Sequence, residues 1–250
     1  MKIIKAKNYE EMSKAACSVI VEHINGNENP VIGLATGSTP EKLYDCLIEE
    51  YRLGQVSFQN VSSFNLDEYV GLGREDVNSY HYYMKEKLFD HIDIQPNRIH
   101  IPNGTSNDVE QDCQEYEEQI QEAGNIDIQV LGLGLNGHIG FNEPGTPFSS
   151  RTHIVELSQS TRRANARFFS GIEEVPTQAI SMGIASIMDS KRILLLVSGK
   201  EKAEALHRMM NSEVSEDFPA SILQKHPNVT VIADEFALGQ EIESSSFLRY

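Results

Sequence analysis

The sequence predicts a doubly wound α/β domain built on a mostly parallel sheet. Three observations carry that prediction. Short apolar runs rich in β-branched residues recur at 31–35, 61–66, 126–131, 193–197 and 229–233. Stretches with helical spacing of apolar residues alternate with them, as crossover connections between parallel strands require. Four of the runs lead directly into polar or glycine-rich turns, on the edge where open sheets of this kind bind ligands. At 250 residues, with no Pro/Ser-rich linker or low-complexity tract, one domain with a sizeable core is expected.

Taken in order, Ile3 and Ile4 open a short strand, and Met12, Ala15, Ala16, Val19 and Ile20 trace one face of a helix that Asn25-Gly26 ends. Cys17 and His23 beside that face read as packing residues. The strand at 31–35 runs into Thr36, Gly37, Ser38 and Thr39, and Pro40 opens a helix with Leu43, Tyr44, Leu47, Ile48 and Tyr51 on its apolar side. Such a turn offers backbone N–H groups, hydroxyls and the positive end of a helix dipole to an anion. The lysine of a nucleotide-triphosphate loop is missing, so a triphosphate is not implied. The strand at 61–66 delivers Asp67, Glu68 and Tyr69 as a turn before Gly71-Leu72-Gly73. Asp67 thereby stands at a ligand-binding edge, although an acidic pair there also serves as an ordinary cap.

Residues 78–92 and 107–123 read as packing helices, with an edge strand at 98–102 between them. The segment 145–176 lacks a strong period but gathers Arg151, Arg162, Arg163 and Arg167 in an otherwise acidic chain. These arginines either neutralise nearby carboxylates or include one or two that clamp a phosphate. Residues 179–188 fit either a short strand leading to a helix or one helix. The strand at 193–197 ends in Ser198-Gly199, and Lys200 and Lys202 fall on the first turn of a helix, where a cation gains from a nearby anion. The last strand is 229–233, and 241–250 is a short mixed tail.

Net charge of −16 argues against nucleic acid or an anionic membrane surface as a partner, since both demand a basic face. Cys17, Cys46 and Cys113 are widely spaced and form no CxxC pair, so neither a disulfide framework nor a thiolate metal site is suggested. The N-terminus lacks the apolar run of a signal peptide, and no stretch reaches the length of a membrane span. A cytoplasmic enzyme or binding protein for a small molecule is the expectation.

The centre of the chain is 126–145, where a buried-strand run meets Gly132, Gly134, Gly137 and Gly140 with Asn136, His138 and Glu143 among them. The glycines match GxGxxG, and Glu156 lies near the distance of a ribose-binding carboxylate. A dinucleotide fingerprint must open a helix, however, and Pro144 and Pro147 with further glycines forbid one here. A metal reading is weak, because His138 and Glu143 form no HExxH pair and no second histidine is near. Metal-free proton transfer by an imidazole beside a carboxylate is what the stretch allows.

Three motifs then carry a resemblance: Gly33-Leu-Ala-Thr-Gly-Ser-Thr-Pro40, Phe64-Asn-Leu-Asp67-Glu-Tyr-Val-Gly71 and Gly134-Leu-Asn-Gly-His138-Ile-Gly-Phe-Asn-Glu143-Pro-Gly. Together they resemble the glucosamine-6-phosphate deaminase family, in register over 1–240. The resemblance implies a modified Rossmann-like single domain with 145–176 as a lid segment. It implies a hydrolytic isomerase/deaminase that turns glucosamine 6-phosphate and water into fructose 6-phosphate and ammonia without an organic cofactor or a metal. It makes Asp67 the base that shuttles a proton between C2 and C1, and His138, with Asn136 and Glu143, the group that opens the pyranose ring. Thr36, Gly37, Ser38, Thr39, Arg167 and Lys202 become the phosphate contacts. Many family members carry Asp where this chain has Asn136, so Glu143 is expected to be the main electrostatic partner of His138 while Asn136 orients it. Regulated hexameric relatives carry basic side chains where this chain has His153 and Val155, so a monomer or small homo-oligomer is expected. Two alternatives are a 6-phosphogluconolactonase-like hydrolase, which tends to lack the Phe141 to Pro144 continuation, and a sugar-phosphate sensor, which would carry a DNA-binding helix absent here.

Overall fold

A computed structural model describes residues 1–239. In chain order the strands are β1 (Lys2–Ala6), β2 (Val31–Leu34), β3 (Ser62–Asn65), β4 (Asp67–Tyr69), β5 (Ile99–His100), β6 (Ile128–Gly132), β7 (His153–Glu156), β8 (Gln178–Ser181), β9 (Arg192–Val197) and β10 (Val229–Asp234). The helices are α1 (Tyr9–Asn25), α2 (Glu41–Arg52), α3 (Tyr80–Lys87), α4 (Val109–Glu122), α5 (Gln159–Asn165), α6 (Ile184–Met188), α7 (Ala203–Asn211) and α8 (Glu235–Leu238).

Seven strands form one sheet in the order β1-β10-β9-β6-β2-β3-β5, and every neighbouring pair is parallel. Both faces of the central strands are covered, which is why β9 reads as an unbroken apolar run: Ile193, Leu195 and Val197 pack on one face, Leu194 and Leu196 on the other. Helix α1 shows how the sequence selects its packing. The Asn8 side chain caps it by accepting the Glu11 N–H at 2.9 Å, and Met12, Ala16, Ile20 and Ile24 repeat every four residues to bury one stripe against β1, β9 and β10. Burying each large aliphatic side chain contributes about 1.5–3 kcal/mol.

The strand order reverses between β2 and β6. From β2 the chain winds outward through β3 to β5, and from β6 it winds the other way through β9 to β10. A crevice opens at such a switch point, flanked by the loops that follow the two strands. Those loops carry Thr36 to Thr39 and Asn136 to Glu143.

The structure departs from the sequence expectations in two places. Asp67, Glu68 and Tyr69 are not a turn; they form β4, the first strand of a second, antiparallel sheet of order β4-β8-β7. The segment 145–176 likewise holds regular structure, β7 and α5. Residues 179–188 are resolved in favour of strand then helix, β8 then α6. The small sheet sits over the crevice and packs Tyr69, Phe141, Val155, Leu157 and Ala179 together. Residues 241–250 lie outside the described part. No helix among the described residues is long and apolar enough to cross a membrane.

Candidate active site

A cleft of about 440 Å³ lies at the switch point. Thr36, Gly37, Ser38 and Thr39 line one side, Gly134, Asn136 and His138 the other, and Asp67, Arg167 and Lys202 complete it. Of the predicted site residues only Glu143 stands behind the wall, and of the Ser198 to Lys202 stretch only Lys202 reaches the cleft. The arginine cluster divides: Arg167 lines the cleft, whereas Arg151 pairs with Asp189 and Glu117, and Arg162 donates to the carbonyls of Ile172 and Val175.

The Thr36 to Thr39 turn is held from behind by phenols. Tyr83 Oη donates to the Gly37 carbonyl at 2.6 Å, Tyr9 Oη to the Ser38 carbonyl at 2.7 Å, and Tyr44 Oη to the Ala35 carbonyl. With those acceptors occupied and the Thr36 hydroxyl hydrogen-bonded to the Tyr80 phenol, the turn has its N–H groups and the hydroxyls of Ser38 and Thr39 to offer a ligand. Gly37 adopts φ 88°, a conformation that favours glycine. Opposite, Lys202 Nζ donates to the Leu133 carbonyl at 2.7 Å, and burial lowers its proton affinity.

Gly134 makes room for the imidazole. A Cβ there would fall 2.3 Å from His138 Nδ1, a separation no side chain tolerates. The fold of this loop contains no helix; Gly137 and Gly140 take positive φ of 86° and 57°, and Asn142 pins it by donating to the Ile139 and Met182 carbonyls. His138 Nδ1 lies 2.7 Å from Asn136 Oδ1, and Asn136 Nδ2 donates to Glu143 Oε2 at 2.6 Å. The amide accepts at one end and donates at the other, so Nδ1 carries the hydrogen and Nε2 keeps its lone pair. His138 and Glu143 thus communicate through Asn136. An aspartate at 136 would set two carboxylates in hydrogen-bond contact, which only a shared proton could relieve. Burial pushes the His138 proton affinity down, Glu143 pulls it up, and Lys202 pushes it down again.

Asp67 is buried, and burial followed by the charge of Glu68 raises its pKa from 3.8 to about 8. A carboxylate tuned to that range is a competent proton acceptor near neutrality. Sequence reasoning missed Tyr80, Thr161 and Asn165, which also line the cleft. Thr161 Oγ1 donates to Glu143 Oε1, and Asn165 Nδ2 donates to Tyr69 Oη at 2.9 Å. Both come from α5 and sit in no recognisable motif. Among the described residues no three His, Cys, Asp or Glu side chains are grouped to hold a metal ion.

Fold and cleft define a class, single-domain α/β enzymes that grip a small anionic substrate at a sheet's switch point and move protons beside it. The chain belongs to the glucosamine-6-phosphate isomerase/6-phosphogluconolactonase family, whose model matches residues 5–232. A glucosamine-6-phosphate deaminase of Oceanobacillus iheyensis is 62% identical over 247 residues, covering 99% of this chain and 98% of that protein. Glucosamine-6-phosphate deaminase 1 of Bacillus subtilis is 51% identical over 95% of this chain and 98% of its own. A solved monomeric glucosamine-6-phosphate deaminase superimposes with TM-score 0.93 at 51% identity, covering 95% of this chain and 99% of that one. A 6-phosphogluconolactonase from Trypanosoma cruzi shares the fold, with TM-score 0.78 at 21% identity over 96% of this chain and 97% of that one.

Proposed function

We propose that this chain is a glucosamine-6-phosphate deaminase, converting glucosamine 6-phosphate and water to fructose 6-phosphate and ammonia, with net hydrolysis of a C–N bond. The observation that carries the reading is one cleft faced by two differently tuned proton carriers, Asp67 and the His138–Asn136–Glu143 chain, beside a small-residue turn at a helix start. The substrate's phosphate binds the Thr36 to Thr39 turn, Arg167 and Lys202, remote from the reacting carbons, and this binding positions C1 and C2. His138 Nε2 takes the anomeric hydroxyl proton and returns a proton to the ring oxygen, which opens the pyranose. Asp67 then removes the C2 proton and delivers one to C1, giving a ketimine at C2 that water cleaves to ketone and ammonia. No organic cofactor and no metal enters this sequence. Residues 145–176 act as the lid, bringing Thr161 and Arg167 to the site, within one catalytic domain of residues 1–240. The protein works in the cytoplasm on amino-sugar phosphates, as a monomer or small homo-oligomer, with no nucleic-acid or membrane partner.

Comparison of glucosamine 6-phosphate with 6-phosphogluconolactone as substrates tests the reading. Ammonia release from the amino sugar supports it; lactone hydrolysis alone, or binding without turnover, overturns it. Two variants probe the imidazole side. Glu143→Gln lowers kcat/KM by about 10- to 100-fold and moves its acid limb to lower pH, because the charge that raises the proton affinity of His138 is gone; an unchanged profile would refute the role of Glu143. Gly134→Ala displaces the imidazole and costs about 100-fold in kcat/KM while the protein stays folded, as checked by circular dichroism.

A further inference from the structure

Strand alternation sends Asp67 and Glu68 to opposite faces of β4. Asp67 faces the cleft, and no hydrogen bond from another described residue reaches its carboxylate. Glu68 faces away, is 0% exposed, and is held by four donors. Its Oε1 accepts the N–H groups of Tyr69 at 2.8 Å and Tyr80 at 3.0 Å; its Oε2 accepts the His81 N–H at 3.0 Å and lies 2.9 Å from His81 Nδ1. Tyr80 and His81 are the first residues of α3, so the helix start and the imidazole both turn their hydrogens onto this carboxylate. Such saturation is the setting of a fixed negative charge. Adjacent carboxylates in opposed environments divide labour, one holding charge and the other exchanging a proton.

We propose that Glu68 and His81 form a buried positioning pair which fixes a negative charge behind Asp67 and thereby sets the pH at which Asp67 accepts the substrate's C2 proton. The inference rests on the deaminase reading. Glu68 supplies the charge and His81 moderates it: with the imidazole hydrogen in place part of the carboxylate's field is absorbed, and without it Asp67 feels more. His81 also lines a second cavity of about 490 Å³, outside the cleft, where Arg74, Lys85 and His100 stand against Glu75, Asp90, Asp112 and Glu115. On the other side, Asp67 is faced by the phenols of Tyr69 from its own strand, Tyr44 from α2, Tyr80 from α3 and Tyr116 from α4. Burial pushes all four upward and keeps them neutral across the working range. Across the cleft, the His138 limb is displaced downward and lies apart from that of Asp67.

The test is the pH profile of kcat/KM for glucosamine 6-phosphate in the parent, Glu68→Gln and His81→Leu; substrate ionisations are common to all three and cancel. Glu68→Gln moves the Asp67 limb down by about 0.5–1 pH unit and lowers the alkaline plateau about 3- to 10-fold, since the base is weaker. His81→Leu moves the same limb up. A role limited to bracing α3 would lower activity at every pH without moving the limb. Limbs that stay in place, or move in the same direction in both variants, overturn the proposal. If Glu68→Gln does not accumulate as folded protein, His81→Leu decides alone: an upward limb supports the proposal, and a fixed or downward one overturns it. A parent without turnover fails the deaminase reading itself, whereas an active parent with unmoved limbs fails only this inference.

Discussion

Asp67→Asn lowers kcat/KM by at least about 1,000-fold and abolishes exchange of the C2 proton with solvent, while ring opening and phosphate binding survive. The same substitution stabilises the free protein. The folded-state pKa of Asp67, about 8, lies above its ordinary value of 3.8, so the folded chain keeps a proton that the unfolded chain gives up. Stability is therefore complete below about pH 4, falls as pH rises toward about 8, and levels off beyond. Asparagine does not ionise, so the advantage of the variant grows across that window and vanishes in acid. Near pH 8 it amounts to roughly 2 kcal/mol or more, a Tm rise on the order of 5 °C. Thermal melts at pH 4 and pH 8 check this, and exchange in deuterated water checks the chemistry. A variant that still exchanges C2, or that melts lower at pH 8 than its parent, removes Asp67 from the role of buried base.

His138→Gln lowers kcat/KM by about 100- to 1,000-fold for a different reason. Asp67 remains able to work on open-chain substrate, but the chain must wait for the pyranose to open unaided. At high enzyme concentration the rate of the variant becomes independent of enzyme, because spontaneous opening then limits it; the parent stays proportional. Progress curves over an enzyme titration read this directly, and a variant that remained proportional throughout would contradict ring opening by His138. The dependence of this step on Asn136 follows from the hydrogen-bond chain. The amide presents oxygen to Nδ1 and nitrogen to Glu143, at 2.7 Å and 2.6 Å, so it transmits orientation without adding charge.

Much of the fold was legible because the parallel strands are buried on both faces. A run such as 193–197 cannot be anything but apolar when helices cover it from both sides. The small antiparallel sheet was not legible for the opposite reason. Its strands have three or four residues, and half of them, including Asp67, Glu68, His153, Glu156 and Gln178, are polar, so neither length nor alternation marks them. In the site, Asn136, His138 and Glu143 were legible because the glycines and prolines around them exclude a helix. Thr161 and Asn165 were not, since they reach Glu143 and Tyr69 across 18 and 96 residues of sequence, from a helix whose composition announces nothing. Arg167 was one of four equivalent candidates in the sequence; what distinguishes it is its place in the cleft wall, where Arg151 and Arg162 do not stand.

That one cleft isomerises and deaminates an amino-sugar phosphate by proton transfer through Asp67 and His138 is tested most directly by turnover of glucosamine 6-phosphate in deuterated water, followed by nuclear magnetic resonance and an ammonia assay. The expected result is one ammonia per fructose 6-phosphate, with carbon-bound deuterium in that product confined to C1. Ammonia without the ketose, deuterium at any other carbon of the product, or no turnover at all would contradict it.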